Sequence, residues 1–328
     1  MKVVRLYEYG GPEKMTLEER PTPSPGPGQI RVKVEAAGVN FNDIYQRSGQ
    51  FRPVPLPVGV GQEGAGVVEA AGPGVADPRP GDRVAWMGDH NGGCGSYATH
   101  ALLDVDVHWP APIPAGIGFR QAAACFNQGV TGHAMTHDAY PVQPGDTCLV
   151  HAAAGGSGML LGQMARMRGA WVIGTASTEA KRAVALEYGA VDEAIPYEDF
   201  DVRVRALTGG EGVRVVYDHV GRTTFERSLN SLARRGWLVY YGLTAGRVPP
   251  FDLNRLGRVG SQFVSRPTVF DYIESRERLL ERVRVVFGWV AGGALRLKTD
   301  HVYPLERAAD AQAALAGRKT TGKVLLVP

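Results

Sequence analysis

Cysteine is scarce in this sequence. The 328 residues include Cys94, Cys125 and Cys148, and no two of them form a C-x-x-C pair. A disulfide framework needs paired cysteines, and a cysteine zinc site needs several thiolates close together. We therefore expect three separate, reduced thiols and neither kind of site.

The sequence also lacks a long apolar run. The longest uncharged segment, from Cys148 to Ala165, contains His151, Gln163 and four glycines, which suits a buried strand and loop better than a membrane span. The first residues, MKVVRLYEYGGPE, lack the apolar core and the small-residue cleavage site of a secretion signal. These features predict a cytoplasmic protein that does not bind a membrane.

Charge of one sign is not concentrated anywhere in the chain. Lys and Arg number 36 against 33 Asp and Glu, and the basic residues are dispersed rather than gathered with aromatic residues. Nucleic-acid binding is therefore not favoured, because it depends on basic patches. A hydrophobic content of 44% over this length fits two globular domains.

The sequence pattern changes near Phe119. Before it, short β-rich runs such as QIRVKVEAAGV alternate with Gly- and Pro-rich turns, which predicts a mostly antiparallel β domain. After it, apolar strands such as CLVHAAA, WVIGTAS and VRVVYDHVG alternate with helical segments. This alternation predicts an α/β fold with a doubly wound parallel sheet. We place domains at 1–125 and 126–262, followed by a C-terminal segment, 263–328.

The stretch HAAAGGSGM, from His151 to Met159, nearly matches the dinucleotide motif G-x-G-x-x-G. An apolar strand precedes it and a helical run follows, so it predicts a strand-to-helix turn that binds a pyrophosphate at the helix N-terminus. Gly155, Gly156, Ser157 and Gly158 supply the backbone for this role, while Ala153 stands in the first glycine place. The alternative is a merely structural tight turn. Met159 excludes the G-x-S-x-G pattern, so Ser157 is not expected to be a nucleophile.

The next strand, WVIGTAS, selects the cofactor. NAD sites usually carry Asp or Glu at the strand tip, and this strand ends at Ser177 with no acid. Lys181 follows on the next helix and suits the 2′-phosphate of NADPH. In the alternative interpretation, Glu179 supplies the acid and Lys181 is an ordinary surface lysine.

Metal-ligating residues do not form a convincing pattern. His133 and His137 have i, i+4 spacing, but Ala134 stands where the H-E-x-x-H motif has glutamate. His90 and Cys94 are two candidate ligands without further partners, and two ligands do not make a tetrahedral site. We expect no metal.

A longer pattern surrounds the nucleotide loop: Gly145-Asp146, Leu149, Ala153 to Gly156, Gly158, Gln163 and Arg166. It resembles the quinone oxidoreductase and ζ-crystallin group of the medium-chain dehydrogenase/reductase superfamily. GVNFNDIYQRSG, GQEGAGVVEAAGPGV and TTGKVLLVP extend the resemblance over nearly the whole chain. It implies a GroES-like β-barrel catalytic domain, a Rossmann nucleotide-binding domain, a cleft between the two, and a C-terminal segment that rejoins the first domain.

The resemblance also bears on zinc. In zinc-dependent members, a cysteine and the histidine of G-H-E bind the metal, whereas this chain has Asn40 in the cysteine region and Gln62 in the histidine place. The cysteine-rich structural zinc lobe is missing too, since only Cys94 stands there. Without a Lewis acid, reduction of an already electrophilic acceptor is favoured over alcohol oxidation.

Particular residues take implied roles by the same resemblance. Asn40, Asp43 and Tyr45 would line the nicotinamide and substrate cleft as catalytic residues, although Asx residues after an apolar run are also turn formers. The remaining residues would bind the cofactor: Thr131 at the nicotinamide, Lys181, Tyr197 and Lys319 at the 2′-phosphate, and Ser177, Tyr241 and Gly242 elsewhere along it. Ser157, His219 and Leu243 depart from the residues common in the family.

These observations predict a zinc-independent, NADPH-dependent quinone reductase. One alternative is reduction of the carbon–carbon double bond of enones or alkenals with the same fold and cofactor. Another is a non-catalytic, ζ-crystallin-like role that includes RNA binding, which the dispersed basic residues disfavour. The expected partners are a small quinone or enone and a second copy of the chain, in a homodimer or homotetramer joined through WLVYYGL and SQFVSRP.

Overall fold

The computed structural model describes residues 1–50, 54–88 and 95–328. Its strands are β1 (Lys2–Leu6), β2 (Met15–Glu19), β3 (Gln29–Val39), β4 (Val58–Gly59), β5 (Glu63–Ala71), β6 (Arg83–Met87), β7 (His100–Asp104), β8 (Ala111–Pro112), β9 (Thr147–Val150), β10 (Trp171–Thr175), β11 (Glu193–Ile195), β12 (Val213–Asp218), β13 (Leu232–Tyr240), β14 (Phe263–Ser265), β15 (His301–Pro304) and β16 (Val324–Val327). Its α-helices are α1 (Phe41–Ser48), α2 (Val105–His108), α3 (Phe119–Ala134), α4 (Gly156–Met167), α5 (Glu179–Glu187), α6 (Phe200–Leu207), α7 (Phe225–Ser231), α8 (Asn254–Arg258), α9 (Arg276–Ala291) and α10 (Ala308–Ala316). Along these described ranges, no helix is both long enough and apolar enough to cross a bilayer.

Unit 1 comprises Met1–Val130 and Ile273–Pro328. Its main sheet has the order β15-β16-β3-β5-β6-β8, with β7 also paired to β3, and a smaller sheet has the order β2-β1-β4. The last strand, β16, runs antiparallel to β3, with Val324 opposite Val39. Leu305, Ala311 and Leu326 enter the same apolar core as the N-terminal strands, so the end of the chain completes the first sheet.

Unit 2, Thr131–Tyr272, contains a parallel sheet of order β11-β10-β9-β12-β13-β14. Successive side chains of a strand point to opposite faces, and Cys148 and Val150 accordingly enter one apolar cluster while Leu149 enters the other. After β9, the chain adds β10 and β11 on one side of that strand, and it then returns to add β12 on the other side. This reversal is the topological switch point at which doubly wound sheets bind ligands.

The predicted fold class is confirmed, and the unit boundaries lie later in the chain than the sequence suggested. The expected junction at residue 125 falls inside α3, which continues into a π-helical turn at Met135–Ala139. The expected end at residue 262 separates β14 from its sheet, although Phe263 to Ser265 pair with β13. A short strand after an irregular segment has no periodicity that would assign it to the preceding sheet.

Candidate active site

The predicted nucleotide loop connects β9 to α4 at the carboxyl end of the parallel sheet. Gly155 caps the helix in an extended conformation, and its N–H donates to the carbonyl oxygen of Ala152 at 2.8 Å. The left-handed φ of +49° falls on Ala152, not on Ala153. Ala153 is fully buried and donates its N–H to Thr175. An alanine in the first glycine place is therefore compatible with this turn.

Gly158 lies where α4 passes closest to the end of β9. A Cβ at this position would overlap the carbonyl oxygen of Ala152 and would lie 2.9 Å from that of His151. The glycine thus lets the helix N-terminus approach the strand end. The first N–H groups of a helix have no intrahelical acceptors, so this N-terminus presents donors and positive potential suited to a pyrophosphate.

The tip of β10 carries no acidic side chain. Ser177 is exposed, and the Thr178 hydroxyl caps α5 by accepting the backbone N–H of Lys181 at 3.2 Å. Lys181 is half-buried on the first turn of that helix, whereas Glu179 is exposed. Tyr197, which follows β11, accepts the N–H of Ala152 on its hydroxyl at 2.9 Å. Tyr197 therefore lies directly against the nucleotide loop.

Tyr241 connects the loop to the end of β12. Its hydroxyl lies 3.1 Å from Nδ1 of His219 and also forms a hydrogen bond with the side chain of Ser157. Burial lowers the pKa of His219 to about 4, so the imidazole is neutral at neutral pH. Gly242 packs on His219, because a Cβ there would lie 2.7 Å from that of the histidine. Ser157 and His219, two departures from the family pattern, are thus neighbours of the same tyrosine.

A buried polar network that sequence reasoning missed holds the strand ends together. Asp218 is fully buried, and its carboxylate accepts hydrogen bonds from the backbone of Val220 and the hydroxyls of Thr224 and Ser228 at 2.7–3.0 Å. His151 bridges Ser228 at 2.9 Å and the Thr175 hydroxyl at 3.0 Å.

Serine, histidine and aspartate also form nucleophilic triads, but Ser228 is completely buried and cannot attack a substrate. The network links the carboxyl ends of β9, β10 and β12, and so fixes the loops that follow them. Asp218 is the last residue of the apolar strand β12, and this position was the available sequence signal.

In unit 1, the predicted catalytic residues lie at the start of α1. Asn40 caps the helix, and Oδ2 of Asp43 accepts the Asn40 N–H at 2.7 Å and the Tyr97 hydroxyl at 2.9 Å. Asp43 is fully buried and Tyr45 is 7% exposed. Burial raises the pKa of the Asp43 carboxyl to about 7, and the two donors oppose this rise. Asp43 therefore holds the N-terminus of α1 in place through these two hydrogen bonds.

Asn40 belongs to a second buried cluster, with Glu63 and Lys323. Lys323 Nζ donates to Asn40 Oδ1 at 2.8 Å and to Glu63 Oε2 at 2.5 Å. Asn40 Nδ2 also donates to Glu63 Oε2, at 2.8 Å, and the backbone N–H of Asn127 donates to Oε1. Glu63 is completely buried and Lys323 is 3% exposed. Sequence reasoning missed both partners, since a buried lysine leaves no local pattern.

The remaining predicted residues are more dispersed. Thr131 is half-buried on α3 in unit 2, whereas Lys319 is exposed after α10 in unit 1. Lys319 therefore belongs to a different unit from the other predicted cofactor-binding residues. The rings of His133 and His137 stack with centroids 4.0 Å apart. His90 and Cys94 lie outside the described residues, and among the rest no three His, Cys, Asp or Glu side chains form a potential metal site.

Family models match both units. The alcohol dehydrogenase GroES-like domain matches residues 26–115, and the zinc-binding dehydrogenase domain matches residues 156–282. Together with the sheet order and the glycine-rich loop, these matches define the class as the medium-chain dehydrogenases and reductases.

Full-length relatives narrow the family. Quinone oxidoreductase 1 of Escherichia coli is 39% identical and quinone oxidoreductase of Pseudomonas aeruginosa is 40% identical, each over 99–100% of both chains. A 2-haloacrylate reductase of Burkholderia is 37% identical over 98% of both chains. The crystal structure of Escherichia coli quinone oxidoreductase complexed with NADPH matches all of both chains with a TM-score of 0.94 and 38% identity. The chain belongs to the quinone oxidoreductase family, as the sequence motifs predicted.

Proposed function

We propose that this protein uses NADPH to reduce quinones without zinc. The observation that carries the proposal is the nucleotide loop of unit 2, which combines a close-packed helix N-terminus with a strand tip that has no acidic residue. NADPH, when bound, supplies a hydride to a conjugated acceptor. The chain's own task is to bind the cofactor, orient the acceptor and exclude competing reactions.

The described residues fit NADPH. Gly158 lets the start of α4 pack against the end of β9, so that the free N–H groups of this helix N-terminus would hold a pyrophosphate, and Gly155, Gly156 and Ser157 form the rest of the turn. At the tip of β10, a carboxylate would repel a 2′-phosphate, whereas Lys181 on α5 would attract it. A relative of the same family has been crystallised with NADPH. Ser177 and Tyr197 complete the proposed phosphate site of unit 2, while Thr131, Tyr241 and Gly242 are proposed along the nicotinamide half.

The donor set in unit 1 supports chemistry without zinc. Zinc-dependent members of the superfamily have a histidine ligand where this chain has Gln62, and a cysteine ligand in the region of Asn40. Gln62 and Asn40 are both buried. Asn40 Oδ1 and Glu63 Oε2 already accept hydrogen bonds from the Lys323 ammonium. A divalent cation bound by the same two oxygens would be repelled by that ammonium at short range. The Lys323 ammonium therefore supplies the positive charge at these two oxygens, which disfavours a metal ion there.

Quinones suit such a site because a conjugated system spreads the negative charge that hydride addition creates. A modest hydrogen-bond donor is then sufficient where alcohol chemistry needs a Lewis acid. The 2-haloacrylate reductase relative favours a second candidate, reduction of an activated carbon–carbon double bond. Both reactions use the same cofactor, and neither needs a metal.

The acceptor decides between these two functions. The purified protein is incubated with NADPH and either a benzoquinone, a cyclic enone or 2-chloroacrylate, and the loss of NADPH absorbance is followed. We expect kcat/KM to be highest for the quinone. Turnover confined to the enone or to the haloacrylate contradicts quinone reduction, and one equivalent of zinc in the active protein contradicts the zinc-free mechanism.

Assembly into a homodimer or homotetramer is a further part of this proposal. Strand β14 lies at the end of the parallel sheet, and Phe263 on it is 42% exposed while its ring stacks on Trp237. An apolar edge strand is normally covered by pairing. Light scattering should give a mass of at least two chains, and a mass of one chain contradicts assembly.

A further inference from the structure

We propose that Lys323 is a positioning residue for reduction, because it fixes the orientation of the Asn40 carboxamide at the start of α1. This inference rests on the proposed function of Asn40 in orienting nicotinamide and acceptor. It assigns a role to a buried lysine of the last strand region, about 280 residues from Asn40 in the chain.

The fold directs Lys323 to this place. Gly322 has a left-handed φ of +61°, and a Cβ there would overlap the carbonyl oxygen of Lys298. The Lys323 N–H donates to that same oxygen at 2.9 Å. The next residue, Val324, pairs with Val39, which directly precedes Asn40. The register of β16 on β3 thus places the lysine beside the helix cap.

The chemistry of the cluster leaves the carboxamide one orientation. An ammonium only donates hydrogen bonds and an ionised carboxylate only accepts them. Lys323 Nζ must therefore face Oδ1 of Asn40, and Glu63 Oε2 must face Nδ2, as the 2.8 Å distances to each show. Reversing the amide would place donor against donor and acceptor against acceptor. The direction of the second Nδ2 hydrogen is fixed as a consequence.

The carboxylate partner is itself held firmly. The Asn127 N–H donates to Glu63 Oε1 at 2.7 Å, and Gly38 leaves space for the carboxylate, since a Cβ there would overlap Oε2. The charge of Lys323 also reaches Asp43, where it opposes the rise of the pKa that burial causes. The Lys323 ammonium therefore interacts with two buried carboxylates next to Asn40, those of Glu63 and Asp43.

Two variants separate positioning from simple charge balance. Lys323→Met leaves Glu63 buried without its cation, so we expect a lower unfolding temperature and a loss of activity. The double variant Lys323→Met/Glu63→Gln removes both charges and should recover at least half of the loss in unfolding temperature. We expect its kcat/KM for benzoquinone to remain at least tenfold below wild type, because Asn40 Oδ1 then keeps only the long hydrogen bond from Gln128 Nε2, at 3.4 Å. Its Kd for NADPH, measured by fluorescence, should stay within threefold of wild type, since the nucleotide loop belongs to unit 2.

The outcomes separate this inference from the proposed function. If the wild-type protein does not oxidise NADPH with any acceptor, the proposed function fails. If it does, and the double variant reaches the wild-type kcat/KM, Lys323 only balances charge and the inference is overturned. A neutron diffraction structure of the double variant, in which the Nδ2 hydrogens are visible, gives a readout independent of turnover. We expect the Asn40 carboxamide to be rotated or present in two orientations, and an unchanged single orientation overturns the inference.

Discussion

Gly158→Ala tests whether close packing at the loop, rather than helix propensity, governs this position. Within a helix, Ala is favoured over Gly by up to about 1 kcal/mol. The new Cβ would, however, overlap the Ala152 carbonyl oxygen and lie 2.9 Å from that of His151. Ordinary contact requires a backbone shift of about 0.5–1 Å, and such overpacking typically costs about 1–3 kcal/mol. We therefore expect a net loss of stability.

Gly288→Ala is the matched control. Gly288 is an exposed helical residue of α9, and a Cβ there would meet no atom within 4 Å. This variant should gain up to about 1 kcal/mol of unfolding free energy. The difference between the two variants isolates the steric cost at the loop.

The assay combines chemical unfolding with fluorescence titration of NADPH. Because the shift moves the N-terminus of α4 away from the end of β9, Gly158→Ala should bind NADPH at least about tenfold more weakly. Gly288→Ala should bind it like wild type. The reasoning is refuted if Gly158→Ala is as stable as Gly288→Ala and retains the wild-type Kd.

Three further predictions follow from single residues. Ala152→Gly should raise the unfolding free energy by about 0.5–1 kcal/mol, because relief of the left-handed alanine exceeds the added entropy of the unfolded glycine; a loss of stability in the same unfolding assay contradicts this. The folded-state pKa of Asp43 is about 7, above its ordinary value of 3.8. As the pH rises from about 4 to 7, the unfolded chain loses the proton before the folded chain does. The free energy of unfolding should therefore fall by up to about 4 kcal/mol over this range. Asp43→Asn should lack this fall in unfolding experiments across that window, and equal pH profiles for both proteins contradict the burial argument. Lys181→Ala should weaken NADPH binding about tenfold or more while changing NADH binding little. Arg182→Ala, on the same helix, should change the ratio of the two affinities far less. Equal losses of NADPH and NADH affinity in Lys181→Ala exclude a phosphate role for this lysine.

The sequence was sufficient for the features that depend on local pattern. Alternating apolar strands and helices predicted the parallel sheet, and the glycines from Gly155 to Gly158 located its strand-to-helix turn. The absence of an acid at the end of WVIGTAS was also visible locally, and the exposed residue there is Ser177. Each of these signals lies within a single strand, turn or helix.

Features that depend on distant pairing were not predictable. Lys323 meets Asn40 and Glu63 only because β16 pairs with β3, and a lysine is normally expected at the surface. Likewise, His151 and Asp218 come together only when β9 and β12 become neighbours. The burial of Asp43 depends on Tyr97, which reaches it from a segment far along the chain. One sequence carries no periodic signal for contacts of this kind.

Parallel kinetics with NADPH and NADH test the central claim most directly. Zinc-free wild-type protein is assayed with benzoquinone at varied concentrations of each cofactor, and kcat/KM is compared. We predict turnover without added metal and a kcat/KM at least about tenfold higher for NADPH, because Lys181 and the acid-free tip of β10 favour the 2′-phosphate. Equal or better use of NADH, or activity that appears only when zinc is added, would contradict the account.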